Sequence, residues 1–132
     1  MKLILVAEDE QLTRWSVSEF LRSEHFEVTE APDGKTAIEL IEQQHFDAVI
    51  SDYSMPGRIT GLDVLRHYRE RWPEKLAVLI TGHDADTKTE VEALGGIYLR
   101  KPIFLEELLG ILSSRANEYD HGSRSYPPDE QT

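Results

Sequence analysis

The sequence predicts an α/β fold, a doubly wound five-stranded parallel sheet with helices on both faces. Five short strand-like runs alternate with stretches of helical periodicity, without internal repeats, which implies right-handed strand–helix–strand crossovers. The runs at 3–7 and 76–80 are continuously apolar and 48–51 is made of small or β-branched residues, as expected of parallel strands covered on both sides. Four of the five strands end on a polar or ionisable residue, which is where open α/β sheets build their sites.

Taken in order, residues 3–7 form the first strand and stop at Glu8-Asp9-Glu10. Over 11–23 the pattern turns helical: at about 100° per residue, Val17, Phe20 and Leu21 cluster on one side. Trp15 projects roughly opposite, either as a partner contact or packed on a neighbouring helix. Residues 26–30 read as a short second strand, and Pro32-Asp33-Gly34 as a turn into a helix over 35–44 carrying Ala37, Ile38, Leu40 and Ile41. Ala48 to Ser51 are small or β-branched and bounded by Asp47 and turn residues, so they form the third strand and leave Asp52 where it stops. A loop through Met55-Pro56-Gly57 precedes a helix over 62–71, with Leu62, Leu65 and Tyr68 at intervals of three and Trp72-Pro73 closing it. The fourth strand, 76–80, ends on Thr81-Gly82-His83-Asp84. A helix over 84–94 follows with a thin apolar face of Val91 and Leu94, stopped by Gly95-Gly96. Residues 97–99 make the fifth strand, and Arg100-Lys101-Pro102 leads into a last helix over 105–116. Residues 117–132 hold Gly, Ser, Arg, a Pro-Pro pair and acids, with too little apolar surface to pack. The expectation is therefore one domain over 1–116 and a disordered tail or the start of a linker over 117–132.

Composition narrows the function. A chain of 132 residues is large enough to bury roughly two thirds of its unfolded surface as one domain. It has no cysteine, which removes disulfides and thiolate zinc sites. The apolar run after Met1-Lys2 is cut short by acids and has no cleavage site, so it is no signal sequence, and no run approaches the ~20 apolar residues of a membrane span. A soluble cytoplasmic protein is expected. The formal charge of −11 repels phosphate backbones and argues against direct nucleic-acid binding.

An isolated Asp at the end of a strand most often merely breaks it; the other strand ends change that reading for Asp52. In the flavodoxin-like order 2-1-3-4-5, the first and third strands are neighbours at the switch point, and Glu8, Asp9 and Asp52 converge there. Three carboxylates repel one another unless a cation is bound, and an all-oxygen set suits Mg²⁺, with Mn²⁺ second. Lys101 adds a fixed positive charge and Thr81 a hydroxyl, while Gly82 leaves room beside it. Carboxylate, divalent ion, ammonium and hydroxyl are the parts needed for phosphoryl transfer onto the protein itself.

The segments Leu-Ile-Leu-Val-Ala-Glu-Asp-Glu at 3–10, Ser-Asp-Tyr-Ser-Met-Pro-Gly at 51–57, Ile-Thr-Gly at 80–82 and Tyr-Leu-Arg-Lys-Pro at 98–102 resemble the receiver domain of two-component response regulators, over about residues 1 to 116. The resemblance implies that Asp52 is the phosphoacceptor nucleophile. Glu8 and Asp9 become the acidic metal pair, with the backbone carbonyl of Ser54 as a further ligand beside Asp52. Thr81 and Lys101 become the phosphate-sensing pair, Tyr98 an aromatic switch that turns inward, and Lys101–Pro102 a cis bond. It further implies a histidine kinase or histidine phosphotransfer protein as donor and an output protein reached by protein contact. A dimer through the fourth helix, fifth strand and fifth helix is expected too, with no membrane contact. Such a chain is no enzyme in the usual sense but assists its own phosphotransfer and autodephosphorylation. Three positions depart from the family pattern: Glu8 replaces the commoner Asp, the loop from Asp52 to Gly61 is one residue longer than usual, and Thr60 stands where an Asp commonly precedes that Gly. Ser54 and His83 lie where side chains commonly modulate phosphoryl lifetime.

Two other functions compete. A metal-dependent phosphatase would also form an aspartyl-phosphate, but such enzymes usually carry a second Asp two residues after the nucleophile, where this chain has Ser54, and a lid for which no segment is long enough. A phosphate-independent binding module with a vestigial pocket is opposed by the retained Asp52, Thr81 and Lys101.

Overall fold

The structure is a computed structural model that describes residues 2–82 and 86–124, with side chains at 2–82 and 87–114. Five strands, β1 (Leu3–Ala7), β2 (Glu27–Ala31), β3 (Ala48–Asp52), β4 (Leu76–Thr81) and β5 (Ile97–Arg100), alternate with five helices. The helices are α1 (Gln11–Ser23), α2 (Gly34–Gln43), α3 (Gly61–Arg71), α4 (Asp86–Ala93) and α5 (Leu105–Arg124). The strands form one sheet in the order β2-β1-β3-β4-β5, with every neighbouring pair parallel.

Side chains alternate across a strand, so each buried run feeds two cores. Leu5, Ala7, Val49, Ala77 and Leu79 enter the core that contains Ala37 and Ile41 of α2, Leu65 and Tyr68 of α3 and Val91 of α4. Ile4, Val6, Ile50, Val78 and Ile80 enter the opposite core with Val17 and Leu21 of α1 and Leu108 and Leu112 of α5. This two-sided burial is why β1, β3 and β4 read as unbroken apolar runs. Helix starts are set by local chemistry. The Glu10 side chain accepts the Thr13 amide at 2.6 Å, and Asp33 accepts the Thr36 amide at 2.7 Å. Thr60 and Asp63 cap α3 reciprocally, each side chain accepting the other's backbone N–H.

The differences from the sequence reading lie at element ends. The ladders extend β3 through Asp52, β4 through Thr81 and β5 through Arg100, and the second strand runs one residue later than expected. α4 is described from Asp86 and ends at Ala93, one residue before the Leu94 expected, while the expected start at 84 lies outside the described residues. α5 continues to Arg124, past the expected end at 116. Extending a nucleated helix needs only modest propensity per residue, and no proline lies between the start of α5 and Pro127, so weak packing did not predict its end. His83, Asp84 and residues 125–132 lie outside the described residues.

One buried polar contact ties α3 to the segment leading into β3: the Tyr68 hydroxyl donates to the Phe46 carbonyl at 2.7 Å, both residues being fully buried. Tyr68→Phe leaves that carbonyl without this donor, and the expected loss is about 1–2 kcal/mol in urea unfolding with an unchanged denaturant slope.

Candidate functional site

The β2-β1-β3-β4-β5 order makes β1 and β3 neighbours, with Ala7 level with Ser51, so the residues just past both strand ends meet. Glu8, Asp9 and Asp52 each bring one carboxylate oxygen to within 4.8 Å of the others. Asp52 is 5% exposed and Glu8 is similarly buried, whereas Asp9 faces solvent. The Lys101 Nζ sits 2.9 Å from Asp52 Oδ1. The sequence-predicted carboxylates and ammonium are thus brought together at one place.

Glu8 is held by its own loop, its Oε2 accepting the Glu10 amide at 3.0 Å. Burial raises its carboxyl above the ordinary 4.5; the Glu10 amide opposes the rise, and the Asp52 charge adds to it. Burial alone pulls the Lys101 ammonium down. The hydrogen bond and charge of Asp52, with Glu8 and Asp9 behind it, outweigh burial and raise Lys101 above its ordinary value. A cavity of about 440 Å³ adjoins the cluster, lined by Val6, Ile50, Ile80 and Ile103 together with Asp52 and Lys101.

Thr81 occupies a different position from the one its strand-end placement suggests. It ends β4, almost fully buried, at the alternation of Ala77 and Leu79, which face α2, α3 and α4, and it is not among the lining residues of that cavity. Its carbonyl accepts the Lys101 amide at 2.9 Å, so the two residues are coupled through the backbone. Tyr98 lies half-buried on β5, level with Leu79, and lines a separate cavity of about 390 Å³ with Lys88, Arg100 and Glu107. Ser54 is exposed in the loop after β3, and the Lys101–Pro102 bond is cis. A methyl group at Gly82 would meet only the Lys101 Cδ, at 3.9 Å, so the resting structure sets no steric demand for glycine there. Trp15, 56% exposed, shares a shallow cavity with Leu12 and Glu10, while Phe104 is also exposed.

Gly61 is a residue that sequence reasoning did not single out. A Cβ there would lie 2.1 Å from the Asp52 carbonyl oxygen and 2.8 Å from Leu79, and the Gly61 amide donates to the Tyr53 carbonyl at 2.9 Å. The start of α3 is therefore pressed against the backbone that carries Asp52. The loop before it is accommodated by Ile59, which fills the space over Gly34, by positive φ at Gly57, and by Thr60 acting as the α3 cap. The signal available in the sequence was a glycine opening a helix, where a capping or small residue is common for other reasons.

A family model described as the response regulator receiver domain matches residues 4–113. The chain belongs to the response regulator receiver domain family. This receiver domain is 35% identical over 108 residues to the transcriptional regulatory protein PdtaR of Mycobacterium tuberculosis, a match covering 80% of the chain and 52% of PdtaR. The chain spans about half the length, or less, of the curated relatives it matches. Among solved structures, the chemotaxis protein CheY4 of Vibrio cholerae is 30% identical with a TM-score of 0.77, over 86% of this chain and 98% of that one. The response regulator TrrA of Thermotoga maritima, solved in complex with Mg²⁺-BeF, is 30% identical with a TM-score of 0.76 at the same coverage, 86% and 98%.

Two measurements check the geometry. Gly61→Ala is expected to lower stability by about 2–3 kcal/mol and to shift the Asp52 amide resonance, because the methyl collides with backbone. Gly57→Ala, where only positive φ is at stake, should cost about 1 kcal/mol and leave Asp52 unmoved. For Glu8, a native pKa above the unfolded one means that the native state holds its proton more tightly. Stability of the metal-free receiver should therefore fall as pH rises from the ordinary carboxylate value through the raised one, and Glu8→Gln should remove that part of the fall in urea midpoints.

Proposed function

We propose that the receiver domain accepts a phosphoryl group on Asp52 from a histidine kinase or histidine phosphotransfer protein of a two-component system and signals through protein contacts. The observation that carries this reading is a buried Asp52 carboxylate hydrogen-bonded to Lys101 within a cluster of two further acids at the carboxyl end of the sheet. The donor set is all oxygen and compact, which fits a hard divalent cation, Mg²⁺ with Mn²⁺ as second choice. Asp9, exposed beside the buried acids, would be a direct ligand with Asp52 and the Ser54 carbonyl, and Glu8, one oxygen already engaged by the Glu10 amide, would contribute directly or through water. A bound Mg²⁺ supplies charge neutralisation between an anionic donor and an anionic nucleophile.

An Asp52 carboxylate oxygen forms a bond to phosphorus in line as the donor's bond to that phosphorus breaks. Lys101 transfers its hydrogen bond from Asp52 to an equatorial phosphoryl oxygen, and Thr81 turns its hydroxyl to another. Because Thr81 starts from the side of the sheet that carries α4, its movement changes the packing there, and Tyr98 follows into the space. The active arrangement pre-exists as a minor population that the phosphoryl group stabilises, with output on the surface of α4, β5 and α5, a surface that also serves a dimer. Input docks on exposed Trp15 and Leu12 of α1 and on Phe104 after β5. The domain's own residues assist both phosphorylation and autodephosphorylation; Ser54, where a phosphatase usually has its second Asp, favours a stored signal over turnover. Residues 1–116 carry these parts, 117–124 extend α5 beyond them, 125–132 serve as tail or linker, and the working compartment is the cytoplasm.

Magnesium-dependent labelling by a small phosphodonor tests the site. Asp52→Asn should abolish labelling, and Lys101→Met should reduce it at least about tenfold; undiminished labelling of Asp52→Asn would sink the assignment. Comparing amide exchange before and after labelling, the largest change is expected over residues 86–105, and an unchanged rate there would remove the proposed output route.

A further inference from the structure

Arg14 belongs to none of the motifs that mark the site, yet it holds the loop that carries the acids. Its side chain, 16% exposed at the start of α1, makes two unlike contacts: Nη1 donates to the Glu8 carbonyl at 2.7 Å, and Nε donates to Glu30 Oε1 at 3.2 Å. The carbonyl is that of the peptide joining Glu8 to Asp9. From the other side, the Glu8 amide donates to the Ala31 carbonyl at 3.0 Å. Glu8 is therefore fixed between the end of β2 and the first turn of α1. A charged donor on that carbonyl restricts the ψ of Glu8 and the φ of Asp9, the two dihedrals that aim the carboxylates relative to each other.

We propose that Arg14 is a positioning residue for the acid pair, orienting the Glu8–Asp9 peptide so that both carboxylates face Asp52, with Glu30 aiming the guanidinium and neutralising it beside a cation site. This rests on reading Glu8, Asp9 and Asp52 as a Mg²⁺ site. Glu30 matters because an uncompensated guanidinium so near the ligands repels a divalent cation, whereas an ion-paired one supplies a directed hydrogen bond without that repulsion. Glu30 is held in turn by Arg22, whose Nη1 lies 3.3 Å from its second oxygen. Lysine cannot replace Arg14: a compact ammonium lacks the planar fork that reaches a carbonyl and a carboxylate together.

The test is titration of Mg²⁺ into the full chain by calorimetry, alongside labelling by acetyl phosphate over a range of Mg²⁺. Arg14→Gln is expected to weaken Mg²⁺ binding on the order of tenfold and to raise the Mg²⁺ needed for half-maximal labelling by a similar factor. The labelling rate at saturating Mg²⁺ should stay within about twofold of the unmodified chain, a split that general loss of structure does not produce. Arg14→Lys, which keeps the charge and covers the case of a poorly folding Gln variant, should show the same weakening, as should Glu30→Gln. Mg²⁺ affinity within about twofold of the unmodified chain in the Arg14 variants would overturn the inference, and so would an equal loss in Arg22→Gln, which touches Glu30 but not the loop. Absence of Mg²⁺ binding by the unmodified chain would overturn the site reading as well; normal binding with unaffected Arg14 variants overturns this inference alone.

Discussion

The Lys101–Asp52 ion pair is the contact on which the site depends. Three carboxylate oxygens within 4.8 Å, two of them on buried residues, repel one another strongly, and the ammonium 2.9 Å from Asp52 offsets part of that repulsion. Burial chiefly raises the Glu8 carboxyl, and the Asp52 charge adds to the rise. A cluster in this condition favours whatever brings positive charge, and the same ammonium is already placed to follow a phosphoryl group once Asp52 no longer occupies it. The ion pair is thus a structural relief in the chain and, in the proposed mechanism, one half of the phosphate-binding apparatus.

Sheet order determines which residues can share in that relief. β1 and β3 are paired level through Ala7 and Ser51, which brings two loops of acids together, and β4 to β5 pairing brings Lys101 back through its amide to the Thr81 carbonyl. Glu8 and Asp52 share the alternation of Val6 and Ile50, on the side of α1 and α5, whereas Thr81 shares that of Leu79, on the side of α3 and α4. One charge cluster therefore borders both layers of helices. Under the proposed mechanism, a group added to Asp52 would act on the far layer by drawing on Thr81, which starts there.

The fold was legible because two-sided burial leaves an unmistakable mark: uninterrupted apolar runs in β1, β3 and β4, each stopped by a polar residue. Asp52, Asp9 and Glu8 were legible for the same reason, since they stand at those stops, and Lys101 because it follows the fifth strand directly before a proline. What escaped were features of backbone proximity. Gly61 is distant enough from Asp52 in sequence that only the path of the intervening loop reveals its contact with the Asp52 carbonyl, and that path rests on Ile59, Gly57 and the Thr60–Asp63 cap acting together. Arg14 was invisible because a side-chain donor to a backbone carbonyl requires no particular residue type at the acceptor, so no pattern records it. The end of α5 was missed by weighing packing where helix propagation decides.

α4 explains why a modest change at Thr81 has somewhere to go. Among its described side chains Val91 is fully buried and Thr87 nearly so, little apolar area for a helix, so its arrangements differ by small free energies. Its C-terminal side is anchored. Beyond the C-terminal end, Arg69 donates to the Leu94 carbonyl at 2.9 Å and to the Lys75 carbonyl at 2.6 Å, and its guanidinium fills the space beneath Gly95, where a Cβ would lie 2.5 Å from Nη2. That anchor joins α4 to α3 and to the approach to β4, all far from the carboxylates. Lys88 of α4 and Tyr98 of β5 line one cavity, and under the proposed mechanism that shared face is where a change at Thr81 would be received.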